Sequence, residues 1–151
     1  MNIGRDVVVL SGTRTAIGKY GGGLAAVPPC DLGATVVREV VSRAGVEPGH
    51  VGHTVFGNVI HTETRDMYLG RVVSVNGGLP VETPAFTLNR LCGSGLQAIV
   101  SAAQAARQGQ PAGLGEVVSS QACLPHYRRM VVTVNQRSRR CCRRQLPRTQ
   151  R

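Results

Sequence analysis

The segment best suited to chemistry is Cys92-Gly93-Ser94-Gly95, which follows a predicted strand and opens a predicted helix. Backbone N–H groups at a helix start lack partners within the helix, and together with the helix dipole they favour a thiolate over a thiol. Gly93 and Gly95 carry no side chain, so a bulky acyl thioester could reach the sulfur while backbone N–H groups face the developing oxyanion. The pattern predicts a nucleophilic cysteine, with an inert buried cysteine as the alternative.

The four histidines and three of the other cysteines are weaker candidates for chemistry. The residues concerned are His50, His53, His61, His126, Cys123, Cys141 and Cys142. We interpret the histidines as surface residues rather than a general base for Cys92. The cysteines do not form the paired Cys-x-x-Cys spacing of a zinc site, so no metal site is predicted.

A glycine-rich segment follows the first predicted strand. Gly12 and Gly18 enclose five residues, whereas a phosphate-binding P-loop has four between its glycines. The P-loop also needs Ser or Thr after its lysine, where this chain has Tyr20. The segment is therefore predicted to be a loop and not a nucleotide site.

Apolar periodicity predicts strands that alternate with helices up to residue 107. The predicted strands are 6–10, 54–60 and 84–89, and the predicted helices are 31–44, 65–75 and 96–107. Asp31 is the expected N-cap of the first helix, and Gly45 is its expected end. The first strand is expected to be buried on both faces, and the last helix, which is small or apolar all round, on all sides. This βαβαβ order predicts an α/β fold with a largely parallel sheet.

Charge divides the chain near residue 110. The 151 residues are 42% hydrophobic and 17% charged, which suits one folded domain. The net charge is +10, yet residues 1–110 hold nine Lys or Arg against seven acids, whereas residues 111–151 hold nine Arg against Glu116 alone. Beyond residue 110 only a weak strand at 116–120 is predicted, and no element after Pro125. We therefore predict a partial domain at 1–110 and an Arg-rich tail at 111–151 that is disordered or translated out of frame.

No targeting or membrane segment is evident in the sequence. Its longest apolar runs are far shorter than the roughly 18 residues that span a bilayer, and its first residues are too polar for a signal peptide. The five cysteines are then expected to be reduced thiols. A cytoplasmic protein with no membrane partner is predicted.

Three separated segments resemble the thiolases, in the same order along the chain. They are VLSGTRTAIG at 9–18, FGNV at 56–59 and NRLCGSGLQA at 89–98. TRDMYLGR at 64–71 and NGG at 76–78 are similar to the bacterial β-ketothiolases in particular. The resemblance covers the amino-terminal half-fold, from about residue 5 to about residue 109, and then stops.

The resemblance implies a βαβαβαββ half-fold, incomplete at its C-terminal side, with a buried helix after the nucleophile. It implies an acyltransferase of fatty acid metabolism, either an acetyl-CoA C-acetyltransferase or a 3-ketoacyl-CoA thiolase, in which Cys92 takes the acyl group as a thioester. The Cys92 N–H would supply part of an oxyanion hole. Acyl-CoA and CoA are the implied substrates, no further cofactor is implied, and a homo-oligomer is expected.

The other catalytic segments of thiolases have no counterpart in this sequence. They are Gly-His-Pro, Cys-x-Gly-x-Gly and Asn-Glu-Ala-Phe, which supply a base for the nucleophile, a second cysteine and part of the oxyanion site. We therefore expect acylation of Cys92 but no turnover by this truncated chain. The alternative is a non-catalytic thiolase-derived fragment whose Arg-rich tail binds nucleic acid or acidic partners. The tail has one aromatic residue, Tyr127, so charge alone would support that binding, and nucleic acid is the less favoured partner.

Overall fold

The computed structural model describes residues 7–107, and it describes the backbone of two further strands at 114–123 and 126–136. Its elements, in chain order, are β1 (Val7–Arg14), α1 (Pro29–Ala44), β2 (Thr54–Gly57), α2 (Leu69–Asn76), β3 (Ala85–Leu88), α3 (Ser94–Arg107), β4 (Leu114–Cys123) and β5 (His126–Gln136). Short 3-10 helices lie at Pro48–His50 and Thr64–Tyr68. The predicted α/β class is confirmed, and the order βαβαβαββ is that of the expected half-fold.

A single sheet, in the order β1-β5-β4-β2-β3, contains the five strands. β2 runs parallel to β3 and β4, whereas β5 is antiparallel to both β4 and β1. Because β2, β3 and β4 are parallel, the segments that follow them emerge at the same edge of the sheet. The loop that contains Cys92 follows β3 at this edge.

α1 and α2 pack on one face of the sheet around the larger hydrophobic cluster. Its buried members are Cys30, Val36, Val37, Val40, Val41, Val51, Phe56, Leu69, Val73 and Leu79. The valines of α1 come from the apolar face that the periodicity predicts. Gly45 ends α1 with φ +63°, in the left-handed region that favours glycine, and this predicted end is confirmed.

α3 packs on the opposite face of the sheet through small residues. Val55 neighbours Phe56 on β2 and so faces the other side, where it forms a second cluster with Ala98 and Ala102. The outer face of α3 is open, because Leu96 is 70% exposed and Val100 is 41% exposed. The prediction that this helix is buried around its whole circumference is wrong, since the described residues cover only one of its faces.

β1 lies at the edge of the sheet. Its ladder is with β5, and the register shifts between Val9 and Ser11. Val9 is 65% exposed and Leu10 is 40% exposed. The predicted burial of this strand on both faces is therefore wrong, because a β-branched run alone does not distinguish an edge strand from a central one.

Beyond residue 110 the chain contains more strand than the sequence predicted. β4 extends the predicted strand 116–120 in both directions, and β5 pairs with it from Leu114 opposite Asn135 to Cys123 opposite His126. The prediction of no element after Pro125 is wrong: the β-branched run at 131–134 is a strand signal among the arginines. The other residues of the predicted tail lie outside the described residues.

Two helix starts also differ from the predictions. α1 begins at Pro29 with Pro28 as its N-cap, so Asp31 lies in the first turn, since proline already has the backbone angle of a first helical residue. The predicted helix 65–75 is divided into the 3-10 helix Thr64–Tyr68 and α2. In the described part of the chain, no helix is long and apolar enough to cross a membrane.

Candidate functional site

Cys92 lies in a short loop between β3 and α3, at the carboxyl edge of the parallel strands. It precedes Ser94, the first residue of α3, by two positions. Its side chain is exposed, so the alternative of an inert buried cysteine does not describe it. The amino end of α3, where the helix dipole is positive, lies next to it along the chain.

The residue before Cys92 has an unusual backbone conformation. Leu91 has φ +48° and is the one non-glycine residue with positive φ in the described part of the chain. Its side chain is 70% exposed, so packing does not stabilise this conformation. Hydrogen bonds do: its N–H donates to Asn89 Oδ1 at 2.9 Å, and its carbonyl accepts from Ser94 N at 3.0 Å and Ser94 Oγ at 2.8 Å.

Ser94 connects this loop to the body of the sheet. It is completely buried, and its Oγ also accepts the Arg90 N–H at 2.8 Å. At the end of β2, a Cβ on Gly57 would lie 2.8 Å from the carbonyl carbon of Ser94 and 2.9 Å from its Cβ. Only glycine permits this approach, so the start of α3 rests directly on β2.

The backbone N–H groups near Cys92 are less available than the sequence suggests. Gly93 N–H donates to the Arg90 carbonyl and Ser94 N–H to the Leu91 carbonyl, both at 3.0 Å. A helix start leaves such groups without helical partners, but this tight turn bonds them within the loop. The general expectation that backbone N–H groups at this helix start face an oxyanion is therefore not met by Gly93 and Ser94.

His53 lies at the opposite end of the parallel strands from Cys92. His53 is half-buried before β2, where its Nδ1 lies 2.8 Å from the Pro84 carbonyl oxygen and its ring packs on Phe86. Burial lowers its pKa below the ordinary value. Cys92 follows the carboxyl end of β3, about 13 Å along the strands from this edge. His50 and His61 are exposed, as predicted, and the side chain of His126 lies outside the described residues.

A second cysteine, Cys30, lies in a cluster that the sequence did not reveal. It is completely buried, and its thiol donates to Asp66 Oδ1 at 3.7 Å. Ligand atoms of Cys30, Glu63 and Asp66 lie within 4.8 Å of one another. Burial, and then the Asp66 carboxylate, raise the pKa of Cys30 to about 11. The thiol is therefore protonated at neutral pH.

The hydrogen bonds within this cluster indicate a structural role rather than a metal site. Asp66 Oδ2 accepts from Thr62 N and Oγ1, both at 2.8 Å, and from Glu63 N at 3.3 Å. Glu63 Oε1 forms an ion pair with Arg65 Nη2 at 3.0 Å, without the angles of a hydrogen bond. A protonated thiol and occupied carboxylates suit the capping of the 3-10 helix Thr64–Tyr68 better than a cation.

A cavity of about 320 Å³ lies beside the loop that follows β1. Leu24, Val27 and Leu32 give it apolar walls, and Lys19 and Thr62 also line it. Cys92 is not among its lining residues, so the cavity and the candidate nucleophile are separate features.

Known proteins are similar in sequence to most of the described part of this chain. The sequence model of "Thiolase, N-terminal domain" matches residues 7–114. The β-ketothiolase BktB of Cupriavidus necator is 68% identical over 100 residues, which are 66% of this chain and 25% of that protein. The cytosolic acetyl-CoA acetyltransferase of Rattus norvegicus is 41% identical over 133 residues, which are 85% of this chain and 33% of that protein. The chain thus spans a quarter to a third of these relatives.

Solved structures match the fold as well. The acetyl-CoA acetyltransferase of Bacillus anthracis has a TM-score of 0.75 and 33% identity, over 81% of this chain and 30% of that chain. Human mitochondrial 3-ketoacyl-CoA thiolase, solved in complex with CoA, has a TM-score of 0.73 and 36% identity, over 77% of this chain and 29% of that chain. With the matched domain, the βαβαβαββ order and the cysteine loop before α3, these findings show that the chain belongs to the thiolase family.

Proposed function

We propose that this chain is the acyl-accepting part of a thiolase-type acyltransferase, with Cys92 as its nucleophile. The observation that carries the proposal is the exposed Cys92 in the loop between β3 and α3, inside the segment that matches the thiolase domain. Its relatives are named acetyl-CoA acetyltransferases and β-ketothiolases. Acyl-CoA and CoA are the substrates in this proposal, and no other cofactor takes part.

The chemical step is an exchange between two thioesters. The Cys92 thiolate attacks the acyl carbonyl carbon, a bond forms from that carbon to Cys92 Sγ, and the bond from the carbon to the CoA sulfur breaks. CoA leaves as a thiolate and takes a proton from water, while the proton of the Cys92 thiol has gone to solvent. Covalent catalysis of this kind divides one difficult acyl transfer into two easier ones.

The second half of the reaction needs groups that this chain does not supply by motif. In thiolases those groups come from the Gly-His-Pro, Cys-x-Gly-x-Gly and Asn-Glu-Ala-Phe segments, which are absent from the sequence. The Gly93 and Ser94 N–H groups next to Cys92 are bonded within the loop. The proposal is therefore acylation of Cys92 without turnover in the 151-residue chain.

The wider setting follows the family. We place the protein in the cytoplasm and in fatty acid metabolism, as a homo-oligomer when the complete catalytic set is present. The open outer face of α3, with Leu96 and Val100 exposed, supports association with a further protein surface.

Acetylation by acetyl-CoA tests the proposal. The purified chain is incubated with acetyl-CoA at neutral pH, digested, and each cysteine peptide is analysed by mass spectrometry. We expect one acetyl group on Cys92, formed faster than on Cys30, Cys141 or Cys142, and none at position 92 in a Cys92→Ala variant. Acetylation of Cys92 no faster than of Cys141 and Cys142 would contradict the proposal.

A further inference from the structure

The loop before Cys92 is held by two side chains whose bonds converge on a single residue. Asn89 Oδ1 accepts the N–H of Leu91 at 2.9 Å, and Ser94 Oγ donates to the carbonyl of Leu91 at 2.8 Å. Both peptide groups of Leu91 are therefore fixed by neighbouring side chains. We refer to Asn89 and Ser94 as the Leu91 clamp.

Both members of the Leu91 clamp are attached to β2 or to the segment after it. Asn89 Nδ2 donates to the carbonyl of Val59 at 3.3 Å. Ser94 rests against Gly57, where even one added methyl carbon would lie 2.8 Å from its carbonyl carbon. The clamp therefore transmits the position of β2, the central parallel strand between β3 and β4, to the loop.

Leu91 needs such support, because its side chain contributes little to its conformation. A leucine at φ +48° has its Cβ close to backbone oxygen, so residues other than Gly, Asn and Asp rarely adopt this conformation. The side chain is 70% exposed, so burial does not compensate. Strained backbone of this kind persists only where the surroundings over-determine it.

We propose that Asn89 and Ser94 are positioning residues for Cys92: by holding Leu91 left-handed, they fix the direction in which the Cys92 sulfur leaves the loop at the start of α3. The inference rests on the proposed function for its meaning in acyl transfer, but its geometry concerns the loop alone. Neither residue is proposed to contact the reacting atoms, and both act through Leu91.

Alkylation of Cys92 in the full 151-residue chain tests the clamp. Iodoacetamide is used at pH 7 with peptide-resolved mass spectrometry, and labelling of buried Cys30 reports whether the fold is intact. Ser94→Ala should slow alkylation of Cys92 roughly two- to tenfold, the factor that loss of one hydrogen bond produces. Ser101→Ala is the matched control on the same helix, because Ser101 Oγ bonds only Gln97 among the described contacts, at 3.2 Å, and it should keep the original rate.

A second substitution separates positioning from general stability. Glycine adopts positive φ without steric cost, so adding Leu91→Gly to Ser94→Ala should restore most of the lost alkylation rate. In the chain that keeps both Asn89 and Ser94, Leu91→Gly should change the alkylation rate by less than about twofold. If Ser94→Ala exposes Cys30 and so fails to fold, Asn89→Ala carries the test, because Asn89 is exposed. An unchanged rate in a folded clamp variant, or no recovery with Leu91→Gly, overturns the proposal.

Acetyl-CoA distinguishes this inference from the proposed function. If the unsubstituted chain is acetylated on Cys92, the clamp variants should lose acetylation in the same proportion as alkylation. If it is not acetylated at all, the proposed function fails, and the alkylation rates still decide whether the clamp positions Cys92.

Discussion

The two cysteines in the fully described part of the chain have opposite environments, although each lies close to the amino end of a helix. Cys92 is exposed before α3, in a loop held by side chains of Asn89 and Ser94. Cys30 lies in the first turn of α1, is completely buried, and has a pKa raised to about 11. Proximity to a helix start therefore does not by itself make a cysteine reactive, because burial beside a carboxylate outweighs the dipole.

The difference follows from what each loop does for the fold. The Asp66 carboxylate next to Cys30 satisfies backbone and side-chain donors of Thr62 and Glu63, and Cys30 fills the space beside it. In the loop of Cys92, the side chains of Asn89 and Ser94 instead form hydrogen bonds with Leu91, and the thiol is exposed. One cysteine belongs to the core, and the other is presented at the edge of the sheet.

The largest expected difference is in alkylation. At pH 7, iodoacetamide should modify Cys30 at least about a hundredfold more slowly in the folded than in the unfolded chain, because a pKa raised from 9.0 to about 11 lowers its thiolate fraction by that factor and burial adds to it. Cys92, whose side chain is exposed, should react faster than Cys30 in the folded chain. Peptide-resolved mass spectrometry gives both rates, and the urea-unfolded chain, where the two thiols should react alike, is the control. Similar alkylation rates of Cys92 and Cys30 in the folded chain would contradict the difference in their environments.

Asp66→Ala should both destabilise the fold and make Cys30 more accessible to labelling. It leaves the donors of Thr62 and Glu63 without an acceptor and opens a cavity, so we expect a loss of about 3 kcal/mol in the free energy of unfolding, measured by urea titration. Cys30 labelling should rise at the same time. Asp31→Ala is the matched control: its carboxylate is exposed and lies 3.9 Å from Arg65, so its loss should have little effect.

Alkaline pH should weaken the fold through Cys30. The folded-state pKa lies above the ordinary 9.0, at about 11, so the stability due to the protonated thiol is complete below pH 9 and is lost as the pH rises to 11. The loss should be about 2 to 3 kcal/mol. Unfolding of the original chain and of Cys30→Ala across this range isolates the contribution, since the other thiols titrate in both. Equal losses in the two chains would show that Cys30 is not responsible.

Gly57→Ala should disturb the loop that contains Cys92 and leave the surroundings of Cys30 unchanged. Its new methyl group would press on Ser94 at 2.8 Å, so we expect a loss of about 1 to 2 kcal/mol in the free energy of unfolding and slower Cys92 alkylation. Gly49→Ala, whose Cβ would meet nothing within 4 Å, is the control. A Gly57→Ala chain with unchanged Cys92 reactivity would mean that β2 does not set the position of the loop.

Much of this arrangement could be predicted from local sequence. The β-branched runs and the apolar face of α1 are local patterns, and they place β1, α1, β2 and β3 within a few residues of their positions. The Cys-Gly-Ser-Gly segment likewise locates the candidate nucleophile at a helix start. The family resemblance depends on the same local strings.

The rest depends on contacts between distant residues. The exposure of Leu96 and Val9 depends on which surfaces meet α3 and β1, and sequence periodicity does not contain that information. The cluster of Cys30 with Asp66 joins residues 36 positions apart. Asn89 could have been recognised as a turn residue that bonds the N–H two positions on, but the contact of Gly57 with Ser94 requires the register of β2 and β3.

The central claim, that Cys92 accepts an acyl group and the chain carries the reaction no further, is tested most directly by the amount of CoA released from acetyl-CoA. We expect a burst of about one CoA per chain, matched by one acetyl group on Cys92, and no burst from Cys92→Ala. Continued release of CoA together with a condensed product would contradict the absence of turnover. An equal burst from Cys92→Ala would contradict the assignment of Cys92 itself.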